Sequence, residues 1–97
     1  MLHLISQSPI ETAIFERIGA GDDVLLLEAS VCIARQGHYL NAELQRLQTQ
    51  DCQVFTLDVQ LALYGIEVER LLPGINVIDY SGFVELTVKN PVIQTWR

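Results

Sequence analysis

The chain has 97 residues, 49% of them hydrophobic, and a formal net charge of −6 at neutral pH. This length supports one domain with a modest core, and the longest unbroken aliphatic run, Val24–Leu27, is far too short to cross a membrane. The six basic residues are scattered with no two adjacent, which argues against tight direct binding of nucleic acid.

The first residues of the chain predict a strand followed by a helix. Leu2–Ile5 is a short apolar run that predicts a first strand. A helix is expected next, because Ser8 can cap its start, Pro9 suits its first turn and Glu11 can complete a capping box. Its apolar side repeats at Ile10, Ile14 and Ile18, and Gly19 ends it.

The middle of the chain predicts a buried strand followed by two helical regions. Val24–Leu27 shows no polar alternation, as is typical of a central parallel strand covered on both faces. The region from Ser30 to Gly37 is expected to be helical. A second, amphipathic helix follows, with its apolar side at Leu40, Leu44 and Leu47.

The second half repeats the alternation of strand and helix. Val54–Leu57 predicts the third strand, and Asp58 is expected to cap a short helix that runs through Leu63. Ile75–Ile78 predicts the fourth strand. Ser81 is expected to open a last helix that stops at Asn90-Pro91, and Val92–Trp96 can add a short final strand.

Four or five β-α units predict the fold. They indicate a mostly parallel sheet of four or five strands with helices on both faces. We therefore expect residues 1–97 to form one small, flavodoxin-like three-layer α/β sandwich. The N-terminal segment has no basic region, long apolar stretch or cleavage site, so we expect no signal peptide and a cytoplasmic location.

Candidate ligand-binding residues are sparse at the carboxyl ends of the strands, where open α/β sheets bind ligands. The sequence has neither a GxGxxG nor a GxxxxGK[ST] motif, so no nucleotide cofactor is expected. Asp58 follows the third strand, where a receiver domain would hold its phospho-accepting aspartate. However, Asp22 and Asp23 precede the second strand and no lysine follows the fourth, so we favour the helix cap for Asp58.

The cysteines and histidines are spaced unlike a metal site or a catalytic set. Cys32 follows the second strand, where the first turn of a helix would favour a thiolate nucleophile; a small buried hydrophobe is the favoured interpretation. Cys52 is expected to be structural and buried. His3 is expected to be a hydrogen-bonded core residue and His38 a surface residue, so we expect no metal and no cofactor.

The C-terminal segment carries more apolar surface than one packed helix requires. The mean hydropathy of +0.26 is high for so small a domain, which predicts that some apolar surface faces a partner. Tyr80, Phe83 and Trp96 are the expected interface residues, because aromatic side chains dominate interface hot spots. For Trp96, packing back onto the domain is an equal alternative.

Several stretches together resemble the TusB/DsrH family. They are Met1-Leu2-His3 with Ser8-Pro9, Val24–Leu27 closed by Glu28, Leu72–Ile75, Trp96 and, most specifically, the block from Ile78 to Lys89. The resemblance implies a fold shared with paralogous DsrE- and DsrF-type subunits. It also implies a heterohexamer with TusC-like and TusD-like partners.

The resemblance further implies a place in a sulfur relay. In such complexes the TusD-like subunit carries a cysteine persulfide received from an upstream sulfur carrier protein. The sulfur then passes toward the enzyme that forms 2-thiouridine at the tRNA wobble position. TusB-like chains bring no indispensable cysteine, which implies a non-catalytic subunit.

One departure from the family separates two hypotheses. DsrH-like members carry a cysteine on the first helix, and this sequence has none between Ile10 and Ile18. The departure favours the TusB-like role and leaves no catalytic residue to transfer from the family. The alternative is a DsrH-like sulfurtransferase subunit of sulfur oxidation that uses Cys32 as its persulfide carrier.

Overall fold

The computed structural model describes every residue from Met1 to Arg97 and contains a single five-stranded sheet. All four strand pairings are parallel, and the strand order is β4-β3-β2-β1-β5. This confirms the predicted α/β fold and resolves the strand count at five. The strands are β1 (Leu2–Ile5), β2 (Asp23–Leu26), β3 (Gln53–Leu57), β4 (Asn76–Ile78) and β5 (Ile93–Trp96).

Four α-helices and two 3₁₀ segments connect the strands. None of the helices is both long enough and apolar enough to cross a bilayer. The α-helices are α1 (Ala13–Glu16), α2 (Asn41–Thr49), α3 (Asp58–Leu63) and α4 (Tyr80–Lys89), and the 3₁₀ segments are Glu28–Ala34 and Val68–Arg70.

The strand order places the helices unequally on the two faces. The chain moves outward from β1 through β2 and β3 to β4, and then returns to place β5 on the other side of β1. Because parallel crossovers are right-handed, a reversal of direction moves the connection to the opposite face. Residues of α1, α2 and α3 accordingly join the larger core, whereas α4 packs against the smaller one.

Two apolar cores flank the sheet. The larger contains 19 buried residues, among them Val24 and Leu26, and the smaller contains four: Leu2, Leu25, Phe55 and Leu86. Successive side chains of a strand point to opposite faces, which explains why neighbours in β2 divide between the cores. The continuous apolar run in β2 is therefore buried on both sides, as predicted.

The first helix is much shorter than predicted. Only Ala13–Glu16 is α-helical, so the start expected at Ser8 was wrong. A capping box needs the backbone N–H of Glu11 to bond the Ser8 side chain, but that N–H donates to the side-chain oxygen of Gln7 at 2.7 Å. Ile10, Ile14 and Ile18 are nevertheless buried as predicted.

The starts of two other helices also differ from prediction. Helix α4 begins at Tyr80 and not at Ser81, because the side chain of Asp79 accepts the N–H of Gly82 at 2.9 Å and caps the helix. Asp58 is the first residue of α3, and Leu57 occupies the N-cap position. The Asp58 carboxylate still accepts a backbone N–H, that of Val59 at 2.7 Å.

Thr56 generates a stability prediction. It lies in β3, is fully buried, and its hydroxyl has no hydrogen-bond partner. An unpaired buried hydroxyl is destabilising, whereas a methyl group of the same size is not. We expect Thr56→Val to raise the free energy of unfolding by about 1 kcal/mol, measured by urea denaturation. Thr87→Val is the control: it removes a hydroxyl that donates to the Val84 carbonyl, so equal stabilisation of both variants would contradict this explanation.

Candidate functional site

The polar side chains at the carboxyl edge of the sheet mainly form hydrogen bonds with nearby backbone groups. Ser30 is buried, and its hydroxyl bonds the carbonyls of Ile5 and Leu27 and accepts the N–H of Leu27. The carboxylates of Asp58 and Asp79 are engaged at the starts of α3 and α4. These polar groups therefore serve the local structure and do not converge on a ligand site.

The two neighbouring aspartates at the start of β2, Asp22 and Asp23, face different surroundings. Asp22 contacts His3, whereas Asp23 is buried, accepts a hydrogen bond from the Asn90 side chain at 3.0 Å and forms an ion pair with the Lys89 ammonium at 3.2 Å. No group of three or more His, Cys, Asp or Glu side chains is arranged to hold a metal ion. The pair thus belongs to two separate structural contacts.

Cys32 lines a surface cleft that the sequence did not reveal. The side chain is half-buried in the 3₁₀ segment after β2. It borders a cleft of about 300 Å³ together with Arg35, Gln36, Gly37 and His38. Cys32 is therefore accessible, and it has two basic side chains beside it that sequence spacing alone did not place there.

His38 is poorly disposed to activate that thiol. Its Nδ1 accepts the backbone N–H of Leu40 at 3.1 Å, so the neutral ring carries its proton on Nε2. Neither ring nitrogen then has a free lone pair that could take the Cys32 proton. The cleft combines a thiol with positive charge but lacks the general base of an activated nucleophile.

Cys52 lies in the larger core, as predicted. Its thiol is 3.3 Å from the carbonyl oxygen of Gly19, to which it donates. Burial raises the pKa of the Cys52 thiol, and the negative charges of Asp22 and Asp23 act in the same direction. The sulfur is therefore a protonated structural group at neutral pH.

The most extensive side-chain network joins three residues that are distant in sequence. His3 is only 1% exposed and bonds the Asp22 carboxylate through Nε2 at 2.9 Å. The indole N–H of Trp96 donates to His3 Nδ1 at 3.1 Å, and the two ring planes are within 13° of parallel. His3 is thus the hydrogen-bonded core residue that was predicted.

This network resembles a catalytic triad only in its acid and imidazole. The third member is an indole, which can donate a hydrogen bond but offers no nucleophile. Although partial burial would raise the pKa of Asp22, bonds from His3 and the Gly19 backbone, and the nearby N-terminal ammonium, hold that pKa below its ordinary value. An ionised Asp22 therefore orients the His3 ring, and His3 Nδ1 accepts the hydrogen bond from the Trp96 indole.

An exposed apolar stripe runs along α4. Tyr80, Val84 and Val88 are spaced four residues apart and are 69%, 43% and 80% exposed. Residues at this spacing share one side of a helix, while Leu86 points into the smaller core. The apolar arc of this helix is wider than its packed face, as predicted.

The three predicted interface residues do not form one patch. Tyr80 is exposed, and its ring meets the half-buried Phe83 edge-on with centroids 6.3 Å apart. Phe83 packs against the smaller core, whereas Trp96 packs against the larger core on the other face of the sheet. Any interface that uses Tyr80 and Trp96 together must therefore involve both faces of the sheet.

Comparison with known proteins places the chain in a family. The family described as "DsrH like protein" matches residues 7–92. Protein TusB from Buchnera aphidicola is 32% identical over 99% of this chain and 100% of its own length, and Protein TusB from Escherichia coli is 34% identical over the same shares. The chain belongs to the TusB/DsrH family. This confirms the family resemblance seen in the sequence and supports a role as a sulfur-relay subunit.

Solved structures share the fold of this family member. MTH1491 from Methanobacterium thermoautotrophicum superposes with a TM-score of 0.80 at 12% identity, covering 97% of this chain and 95% of its own. The ychN protein from E. coli gives a TM-score of 0.76 at 14% identity, covering 98% and 97%. At these identities the similarity supports the fold alone.

Sequence reasoning missed the partners of His3 and the shared cleft of Cys32 and His38. The contact of His3 with Trp96 spans 93 positions and depends on β5 joining β1. Cys32 and His38 are close in sequence, and the glycine between them was a local signal of a turn. Gly37 adopts a φ of 91° and turns the chain between the 3₁₀ segment and His38.

The different burial of the cysteines predicts different reactivity. In the folded protein, Ellman's reagent should modify Cys32 in a Cys52→Ser variant at least about tenfold faster than Cys52 in a Cys32→Ser variant, because buried, protonated thiols are inert. Both variants should react equally fast in denaturant. Rapid modification of folded Cys52 would contradict the burial described here.

Proposed function

We propose that this chain is a non-catalytic subunit of a cytoplasmic sulfur-relay complex. It assembles with TusC-like and TusD-like paralogues into a heterohexamer. The complex receives persulfide sulfur from carrier proteins and passes it toward 2-thiouridine formation at the tRNA wobble position. The observation that carries the proposal is the exposed apolar stripe of α4 on a member of the TusB/DsrH family.

The described side chains favour a structural role over catalysis. Cys32 lacks a base with a free lone pair, and Cys52 is buried and protonated. The Asp22–His3 pair ends on the Trp96 indole, which is no nucleophile. A subunit that supplies shape and surface, while a partner supplies the persulfide cysteine, is consistent with these contacts.

The surface charge favours protein partners over direct contact with tRNA. The net charge of −6 opposes the phosphate backbone. Apolar side chains in a row, by contrast, lose unfavourable contact with water when a partner covers them. We therefore place any tRNA contact on another component of the pathway.

The alternative role keeps one specific observation in its favour. Cys32 is accessible and lines a cleft with His38 and Arg35, and the positive charge of the Arg35 guanidinium would stabilise a thiolate or persulfide anion. In that case the chain would act as a DsrH-like sulfurtransferase subunit of sulfur oxidation. Replacement of the cysteines distinguishes the two roles.

We predict that the double variant Cys32→Ser, Cys52→Ser leaves wobble thiolation largely intact. Neither thiol has the surroundings of a sulfur carrier in the leading proposal. The measurement is the level of 2-thiouridine in tRNA from a strain whose only copy of this chain is the double variant. Loss of thiolation with the complex still assembled would instead assign the carrier role to a cysteine, and the two single variants would identify which one.

We predict that the α4 stripe carries a large part of the partner interface. Truncation of a hot-spot aromatic weakens binding by about 2 kcal/mol, or roughly thirtyfold. Tyr80→Ala combined with Val88→Gln should therefore reduce recovery of TusC-like and TusD-like partners in co-purification. Both side chains are exposed, so the free energy of unfolding of the isolated chain should change by less than about 1 kcal/mol.

Leu63→Gln is the matched control, since Leu63 is equally apolar and 72% exposed but lies on α3. It should assemble like the wild type. Phe83→Ala and Trp96→Ala are less selective because both side chains also pack against the cores. A wild-type chain that stays monomeric beside those partners would contradict the proposed complex, and normal assembly of the stripe variant would remove α4 from the interface.

A further inference from the structure

We propose that His3 is a pH-responsive latch on the last strand. The neutral imidazole holds the Trp96 indole against the domain, and the protonated imidazole releases it. The inference concerns regulation of the C-terminal segment, and its consequence for assembly rests on the proposed function. The latch itself is a property of the isolated chain.

The hydrogen-bond donors fix the resting state of His3. The Trp96 indole N–H can only donate, so His3 Nδ1 must be unprotonated to accept it at 3.1 Å. The other nitrogen, Nε2, then carries the proton and donates it to Asp22 at 2.9 Å. Both contacts are satisfied together only by the neutral ring with its proton on Nε2.

Protonation changes one contact and keeps the other. A second proton must enter at Nδ1, where it would point at the indole N–H, and two donors cannot share that hydrogen bond. The bond from Nε2 to the Asp22 carboxylate survives and gains charge assistance. The imidazolium therefore stays on Asp22, while the indole has to leave its place.

The other charged and titratable groups around His3 and Trp96 do not prevent protonation of His3 from breaking its bond to the indole. Asp22 stays ionised and attracts the imidazolium, with the N-terminal ammonium 3.5 Å from its other oxygen. The Arg17 guanidinium on the α1 side lies 6.0 Å from the centre of the Trp96 ring, and β5 carries no charged residue. The nearby Cys52 thiol remains neutral. Among the side-chain types around the indole, imidazole is the one that ordinarily changes charge between about pH 5 and pH 8.

The indole is connected to the edge of the sheet. Strand β5 is bonded on one side only, to β1, and the carbonyl of Trp96 accepts the Ser6 N–H at 2.9 Å. The Trp96 side chain joins this end of β5 to the interior through its hydrogen bond to His3 and its packing against the larger core. Release of the ring would loosen the edge strand where the predicted interface residue Trp96 lies.

Trp96 is the single tryptophan of the chain, so it reports its own release. The experiment follows the fluorescence emission maximum and the indole ¹H–¹⁵N resonance of the isolated chain from about pH 8 to about pH 5. The ring and the Nε2 proton of His3 are followed by NMR in the same samples. We expect a red shift of the emission and loss of the hydrogen-bonded indole resonance as His3 gains its second proton.

Three variants identify the group responsible. In His3→Asn, the side-chain oxygen can still accept the indole N–H but does not titrate, so the transition should disappear. In Asp22→Asn, the imidazolium loses its carboxylate, so the midpoint should move to lower pH. His38→Asn is the matched control and should keep the wild-type transition. If His3→Asn does not fold, the shift in Asp22→Asn decides the same question.

Several results would overturn the latch. They are an unchanged indole signal while His3 titrates, a His3 that stays neutral down to about pH 5, and a transition that persists in His3→Asn. Co-purification with TusC-like and TusD-like subunits at both ends of the range separates this inference from the proposed function. Assembly without an indole transition overturns only the latch, and an indole transition without assembly at either pH overturns only the proposed complex.

Discussion

Right-handed crossovers determine where this small chain has surplus apolar surface. Three connections run outward on one face and build the larger core, and the single return connection leaves α4 alone on the other. One helix of ten residues cannot cover a face of five strands. Leu4, Leu27 and Leu57 remain half-buried there, and α4 itself presents Tyr80, Val84 and Val88 outward. The unequal division of helices thus links strand order to the expected need for a partner.

The same return connection brings the two ends of the chain together. Because β5 lies against β1, Trp96 reaches His3, and the carbonyl of Arg97 accepts a bond from the Gln7 side chain. A buried imidazole between a carboxylate and an indole is stable only when every donor meets an acceptor. The β1 ladder holds the last strand in place, and in the proposed latch the contact of its Trp96 indole with the interior depends on the protonation state of His3.

Much of the fold could be predicted because apolar runs and turn residues are local signals. The continuous run in β2 was placed within one residue, and the stop at Asn90-Pro91 fitted the end of α4. Helix starts were harder, because several side chains compete for the same backbone N–H groups. The Gln7 side chain accepts the Glu11 N–H that Ser8 was expected to accept. Asp79, and not Ser81, caps α4. The candidate site was predictable only in part, since the His3 network and the Cys32 cleft depend on how the folded chain brings its segments together.

The chemistry of the two thiols follows from the same architecture. Cys52 enters the larger core beside Asp22 and Asp23, where burial and negative charge keep it protonated. Cys32 packs against the rim of that core and lines a cleft with Arg35, but the Nδ1 lone pair of His38 already accepts the Leu40 backbone N–H. Freeing that lone pair would leave the Leu40 N–H without its acceptor, so activation of Cys32 would require a local rearrangement of the loop. A partner surface over the cleft could cause one, which makes assembly the condition under which any sulfur chemistry at Cys32 should be sought.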